Sequence, residues 1–122
     1  MYVRAVRGAT TVANNDSCEI IDATKILLNE ITEKNSLQQE DIISAIFSVT
    51  NDLDAAFPAV AARQLGWSDV ALMCTTEINV PGSLKKCIRV MIHINTEKCK
   101  SELQHVYLNE AKVLRPDLEN ND

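Results

Sequence analysis

Only three glycines occur among the 122 residues, and they stand apart, so no glycine-rich loop can cradle a phosphate. Cysteine never occurs as Cys-x-x-Cys. Cys18, Cys74, Cys87 and Cys99 are scattered, and with only His93 and His105 to join them no zinc-ligand spacing exists. Basic runs and clusters of aromatics among basic residues are missing, and the net charge is −5, so nucleic acid is not an expected partner. No apolar run approaches the ~20 residues that span a membrane, and no apolar leader opens the chain. A cytoplasmic protein with free thiols is the simplest expectation, with no membrane partner. Neither histidine has the context of a positioned base, so nucleophilic catalysis has little support.

What is present suits one domain with one core. Hydrophobic residues make up 46% of the chain, enough for a single core and too few residues for a second. Residues 1–118 are read as that domain and 119–122 as a polar, mobile tail. There is no repeat, low-complexity segment or linker.

Periodicity divides the chain into elements. "MYVRAVRGATTV" opens as a strand, with Gly8 either ending it or letting a backbone come close. "SCEIIDATKILLNEITEKN" carries Ile20, Thr24, Leu27, Leu28 and Ile31 at helical spacing, with Asp16 or Ser17 as its cap. Ile43, Ala45, Phe47 and Val49 then alternate with Ser44, Ile46 and Ser48, as in a largely buried strand. "DAAFPAVAARQLGW" reads as a second helix, with Pro58 in its first turn and Gly66 just past its end. "DVALMCTTEINV" is a third strand running to Cys74 or a little beyond, and "KKCIRVMIHI" a fourth after the turn "PGS". "SELQHV" is a short helical piece. A last strand is expected at Ala111 to Leu114, stopped by Pro116. The order β-α-β-α-β-β-α-β predicts an α/β (more strictly α+β) fold, a mixed sheet with helices on one side. The uncovered face of such a sheet needs a partner, which points to an oligomer.

The fourth strand poses the functional question. Ile88, Val90, Ile92 and Ile94 share one face and belong in a core, while Cys87, Arg89, Met91 and His93 share the other. A guanidinium cannot shed its charge, so Arg89 must face water, an internal carboxylate or a ligand. Arg7, Arg63, Glu77, Arg89, Tyr107 and Arg115 are cations and polar groups at strand ends. Such a set suits a small anion, because arginine forks match carboxylates two bonds at a time. From spacing alone, any one of these arginines reads first as a surface charge or an internal ion pair. Arg4 is read as a surface or interface charge, His93 as an interface or surface polar group, Trp67 and Cys87 as packing residues, and Lys85 and Lys86 as solvated.

"RGATTV" (Arg7 to Val12), "FPAVAAR" (Phe57 to Arg63), "CTTEINV" (Cys74 to Val80), "LKKCIRVMIH" (Leu84 to His93), "HVYL" (His105 to Leu108) and "VLRPDL" (Val113 to Leu118) lie in order along nearly the whole chain. Together they resemble the AroH-class monofunctional chorismate mutases, the type found in Bacillus. The resemblance implies a homotrimeric pseudo-barrel, with sheets around the threefold axis and active sites between subunits. It implies rearrangement of chorismate to prephenate, on the route to phenylalanine and tyrosine, without cofactor, metal or covalent intermediate. By the same resemblance Arg89 donates to the ether oxygen of the breaking bond, and Arg7 and Tyr107 contact carboxylates. Glu77 accepts from the ring hydroxyl, with Met73 and Cys74 beside it, and Phe57 and Ala59 wall the ring. Arg63, Leu114 and Arg115 would be mobile groups at the mouth. Val60 departs from the pattern, which has a lysine there. The alternative is a trimeric small-anion binder of RidA-like fold that does not catalyse the rearrangement. It would need the arginines but not an acceptor for the ring hydroxyl.

Overall fold

The computed structural model describes residues 1–115. The expected stop at Pro116, the end of the domain at 118 and the tail at 119–122 lie outside them. Five strands and two α-helices are formed: β1 (Tyr2–Thr11), α1 (Ser17–Lys34), β2 (Ile42–Val49), α2 (Ala59–Gln64), β3 (Ala71–Thr76), β4 (Cys87–Thr96) and β5 (Val106–Tyr107). The strands make one sheet in the order β3-β2-β4-β1-β5. β4 is central and antiparallel to both β1 and β2, while β3 and β5 add in parallel at the two edges.

Both helices cover one face. Leu27, Leu28 and Ile31 of α1 and Ala59 and Ala62 of α2 share a buried cluster with Val6, Ala45, Phe47, Val90, Ile92 and Ile94. The expected helical spacing of α1 is thus realised, and Asp16 caps it by accepting the Glu19 N–H at 3.0 Å. α2 ends where Gly66 takes φ +90°. Gly66 N–H bonds Arg63 O and Trp67 N–H bonds Ala62 O, both at 3.0 Å, the paired bonds of a glycine-terminated helix. Trp67 is buried against the same core. Among the described residues no helix is long and apolar enough to cross a membrane.

Among the described residues, no helix packs on the other face. Its middle row runs Met73–Ile46–Met91–Arg7 across four strands by register. Met73, Ile46 and Met91 are 62%, 39% and 38% exposed, and Val3 further along β1 is 62% exposed. Exposed apolar side chains in a connected row are the kind of patch that marks a binding surface.

Of the two readings of Gly8 the close approach of a backbone is the one realised, and two other expectations are corrected. Gly8 does not end β1, which continues to Thr11. A β-carbon there would lie 2.6 Å from Ile31 Cδ1 and 3.1 Å from both Leu27 Cδ1 and the Val106 carbonyl oxygen, so glycine admits both α1 and β5. Gly8→Ala should therefore cost about 1–3 kcal/mol through overpacking, read as a lowered denaturation midpoint. An unchanged midpoint would show that α1 yields without cost. In β2 the pairing shifts between Ile42 and Ser44. That irregularity buries Ile42 and turns Ile43 outward, against strict alternation. Finally, Ala111 to Leu114 is not a strand. It belongs to a 3-10 turn, Asn109–Leu114. The strand nearby is β5, which replaces the helical reading at Val106. Asn109 takes φ 54°, its Nδ2 bonds Thr10 Oγ1 at 3.1 Å, and Glu110 N–H bonds Thr11 Oγ1 at 3.1 Å. These bonds fold the chain over the end of β1 instead of along its edge. The start of that same expected helical piece lies in a 3-10 turn, Lys100–Glu102.

Candidate active site

β4 answers the question its sequence raised. Ile88, Ile92 and Ile94 are fully buried and Val90 nearly so, facing the helices. Arg89 faces the open side, opposite Ala9 on β1 and Ser48 on β2. Its Nε lies 3.7 Å from Glu77 Oε2, with the two side chains 34% and 28% exposed. That separation is an ion pair at the edge of contact, and the buried Nε makes no hydrogen bond. A buried donor without a partner is uncommon, and a bound acceptor would satisfy it.

Arg89 and Glu77 line a cleft of about 330 Å³ together with Arg7, Ser48, Met91 and Tyr107. The volume falls within the range of small-molecule sites. Two guanidinium groups against one carboxylate leave the cleft net positive, suited to an anion. Each group is set by a strand. Arg7 projects from β1 beside Met91, Arg89 from β4, and Tyr107 from β5, opposite Ala9. Glu77 follows β3, its N–H bonding Val49 O at 2.8 Å. Cys87 is fully buried in a small cluster with Ala9 and Ala111, against which Tyr107 and Leu114 pack. Burial pushes the Cys87 thiol pKa up, and the Arg89 charge offsets part of that rise.

The remaining expected residues are elsewhere in the chain. Phe57, 69% exposed, and Cys74 line a second cleft of about 430 Å³ with Pro58 and Thr76. Cys74 pairs with Phe47 in register and so faces the helix side. It does not stand beside Glu77 in one chain. Met73 is on the open face, at the β3 edge. Arg63 is exposed on α2, and Val60 is half-buried there. Ala59 does not wall either cleft; its small side chain is buried in the main core, where it seats the start of α2. Leu114 is half-buried on the Cys87 cluster, and Arg115 is half-buried beyond it. The residues are therefore in two sets, one around Arg89 and one around Phe57.

One participant, His105, opens the HVYL motif but is not among the expected site residues. His105 Nδ1 accepts the Arg7 backbone N–H at 2.9 Å, across 98 residues. This tethers the segment before β5 to β1 beside the cleft. Burial holds the imidazole pKa below its usual 6.5, and the charges of Arg115 and Arg7 lower it further. An unfolded chain binds that proton more readily than the folded one, so His105 contributes stability above pH 6.5 that is lost as pH falls through its folded pKa. Wild type should lose stability over that window, and His105→Asn, which keeps an acceptor near Nδ1 but cannot titrate there, should lose less. Parallel melting curves of the two proteins between pH 7 and 4.5 would contradict the assignment.

With this geometry in view, comparison with known proteins is informative. Residues 3–118 match the family model described as chorismate mutase type I. The chain is 47% identical to the Bacillus subtilis (strain 168) protein "Chorismate mutase AroH" over 119 residues, covering 97% of this chain and 94% of that one. It is 48% identical to the Thermus thermophilus "Chorismate mutase AroH" over 118 residues, covering 96% and 97%. A solved chorismate mutase from Clostridium thermocellum superposes with a TM-score of 0.89 at 63% identity, over 90% of this chain and 98% of that one. Full-length similarity at these identities, in sequence and in fold, makes this chain a member of the chorismate mutase type I family.

Proposed function

We propose that this protein is a chorismate mutase, an isomerase that rearranges chorismate to prephenate, and that the Arg89 cleft is half of its active site. The observation that carries the reading is the buried, unbonded Arg89 Nε in a net positive cleft beside Glu77. The reaction is pericyclic: the substrate supplies every bond that breaks or forms, and no proton moves. The protein has two tasks. It selects a compact diaxial conformer, which lowers the entropic part of the barrier. It also stabilises negative charge that grows on the ether oxygen as the C–O bond breaks ahead of C–C formation. Arg89, permanently charged and held on a central strand, suits the second task. Arg7 and Tyr107 are assigned to the carboxylates and Glu77 to the ring hydroxyl.

The second set of residues completes the site from a neighbouring copy. A homotrimer with its open sheet faces packed inward would cover Val3, Ile46, Met73 and Met91 and bring Phe57, Arg63 and Cys74 of one subunit to the Arg89 cleft of another. The exposed apolar row supports this assembly. Leu114 and Arg115 are assigned to the mouth. A cytoplasmic location fits a soluble biosynthetic enzyme making precursors of phenylalanine and tyrosine. Membership of the family leaves the non-mutase anion binder without support.

The test is loss of chorismate absorbance with purified protein, before and after exhaustive chelation and dialysis. Turnover should be present and equal in both samples, since the mechanism uses no metal or organic cofactor. No turnover would refute the function. Turnover lost on chelation and restored by a metal would refute the mechanism.

A further inference from the structure

The strand end that follows β2 ties together the two backbones that carry the active pair. Val49 O accepts the Glu77 N–H at 2.8 Å. The next residue, Thr50, bonds Cys87 twice: its N–H donates to Cys87 O at 3.1 Å, and its Oγ1 accepts the Cys87 N–H at 3.0 Å. Thr50 Oγ1 in turn donates to Asp52 Oδ1. The Asp52 carboxylate also accepts the Lys86 N–H, at 3.0 Å to Oδ2 and 3.2 Å to Oδ1. Lys86 sits at φ 50°, a left-handed conformation that a residue with a β-carbon keeps only when its surroundings hold it.

We infer that Asp52 and Thr50 are positioning residues that fix Arg89 and Glu77 relative to each other. The inference rests on the chorismate mutase reading for its kinetic arm. Neither residue lines the Arg89 cleft; both line a neighbouring cleft of about 410 Å³ that Glu77 also borders. Their hold falls on Lys86 and Cys87, where β4 begins, three and two residues before Arg89. In a strand the side chain two residues on repeats the same face, so a fixed Cys87 sets where Arg89 points. The carboxylate is needed because Lys86 must stay left-handed for the chain to come out of its loop and join β4 in this register. Val49 ties Glu77 to the same short segment. The 3.7 Å between Arg89 and Glu77 is therefore set from residues outside the Arg89 cleft.

Misplacement of a group by about 1 Å can lower turnover by up to a hundredfold. Thr50→Val and Asp52→Ala should each lower kcat by about ten- to a hundredfold, with KM changed by less than about threefold. Thr50→Ser keeps the hydroxyl and Asp52→Asn keeps an acceptor for Lys86, so both should regain most of the loss. In an Arg89→Ala background, adding Thr50→Val should cost less than about twofold, because the group it positions is gone. Equal losses in both backgrounds, or conservative variants no better than the drastic ones, would overturn the inference. The Arg89 Nε–H signal in a nitrogen–proton spectrum, assigned by its loss in Arg89→Lys, gives a readout that needs no substrate. It should shift in Thr50→Val and hold in Thr50→Ser. If it stays fixed in both, the positioning role is wrong. If it shifts as expected in a protein inert toward chorismate, the positioning stands and the proposed function falls. Should Asp52→Ala fail to fold, the Thr50 pair decides alone.

Discussion

Replacing Arg89 with alanine should lower turnover by at least about a hundredfold while leaving the fold in place. The size follows from the task assigned to it. Removing one donor to a developing oxyanion costs roughly 2.7–4 kcal/mol, and a charged donor in a site that excludes water can cost more. Arg89→Lys keeps the charge but loses the planar fork, so it should recover only part of the rate. An uncharged isostere of the arginine side chain separates shape from charge, and it should remain severely impaired if charge carries the effect. Stability should change little. The side chain is a third exposed, and its pairing with Glu77 at 3.7 Å is of the partly solvated kind that contributes little. Steady-state kinetics on chorismate, with size analysis of each variant, reads both outcomes. A near-normal rate, or an assembly that falls apart, would make the arginine structural.

The legibility of that arginine shows which parts of this molecule its sequence exposes. β4 is antiparallel to a strand on each side and lies under both helices. Its two faces therefore meet opposite environments, and alternation of Ile88, Val90, Ile92 and Ile94 with Arg89 and His93 records that directly. His93 does bond Ser44 Oγ on the open side at 3.2 Å, as a polar residue of that face. Arg4 also behaves as a surface charge, over the Tyr2 ring and bonded to Lys98 O. The helix ends were readable because Asp16 and Gly66 act through local bonds. Failure came where a distant contact outweighed local pattern. Ile43 turns outward because β2 and β4 slip in register, and a slip between strands nearly fifty residues apart leaves no mark within one of them. Ala111 to Leu114 alternates like a strand, yet the bonds of Asn109 and Glu110 to Thr10 and Thr11 curl it into a turn.

The site divides the same way. Arg7, Glu77, Arg89 and Tyr107 come together in one cleft, and the motifs that name the family carry all four. Ala59 is harder to read, because a small residue at the start of a short helix suits a ligand wall and a core equally by type. Within one chain it is 3% exposed and packs in the core. The contributions of His105, Thr50 and Asp52 are backbone-directed bonds to residues far away in sequence, or around a left-handed lysine. Nothing in residue type or spacing announces them.

The division of the expected residues into two clefts leads to the largest effect of all, because it concerns activity that is present or absent. If the Arg89 cleft of one subunit meets the Phe57 and Arg63 region of another, a folded monomer is inactive. An Arg89→Ala subunit lacks the first half of a site and an Arg63→Ala or Phe57→Ala subunit lacks the second. Each homotrimer should then be severely impaired. Mixed trimers, made by unfolding and reassembling the two proteins together, contain some interfaces where an intact Arg89 meets an intact Arg63. Those interfaces should turn over at the wild-type rate. In a trimer with one site per interface, a cyclic arrangement of two variant types places one such intact interface in every mixed trimer, whichever type is in the majority. Activity should thus reach about a third of wild type per mixed trimer, since one interface of three is intact. The outcome is distinctive, because two defects in the same half of the site cannot complement. Arg89→Ala mixed with Arg7→Ala should recover nothing, as both belong to the cleft on one face of the sheet. If Arg89→Ala with Arg63→Ala also recovers nothing, in mixed trimers of verified composition, each site is built within one chain and the exposed row of Met73, Ile46 and Met91 is covered in some other way.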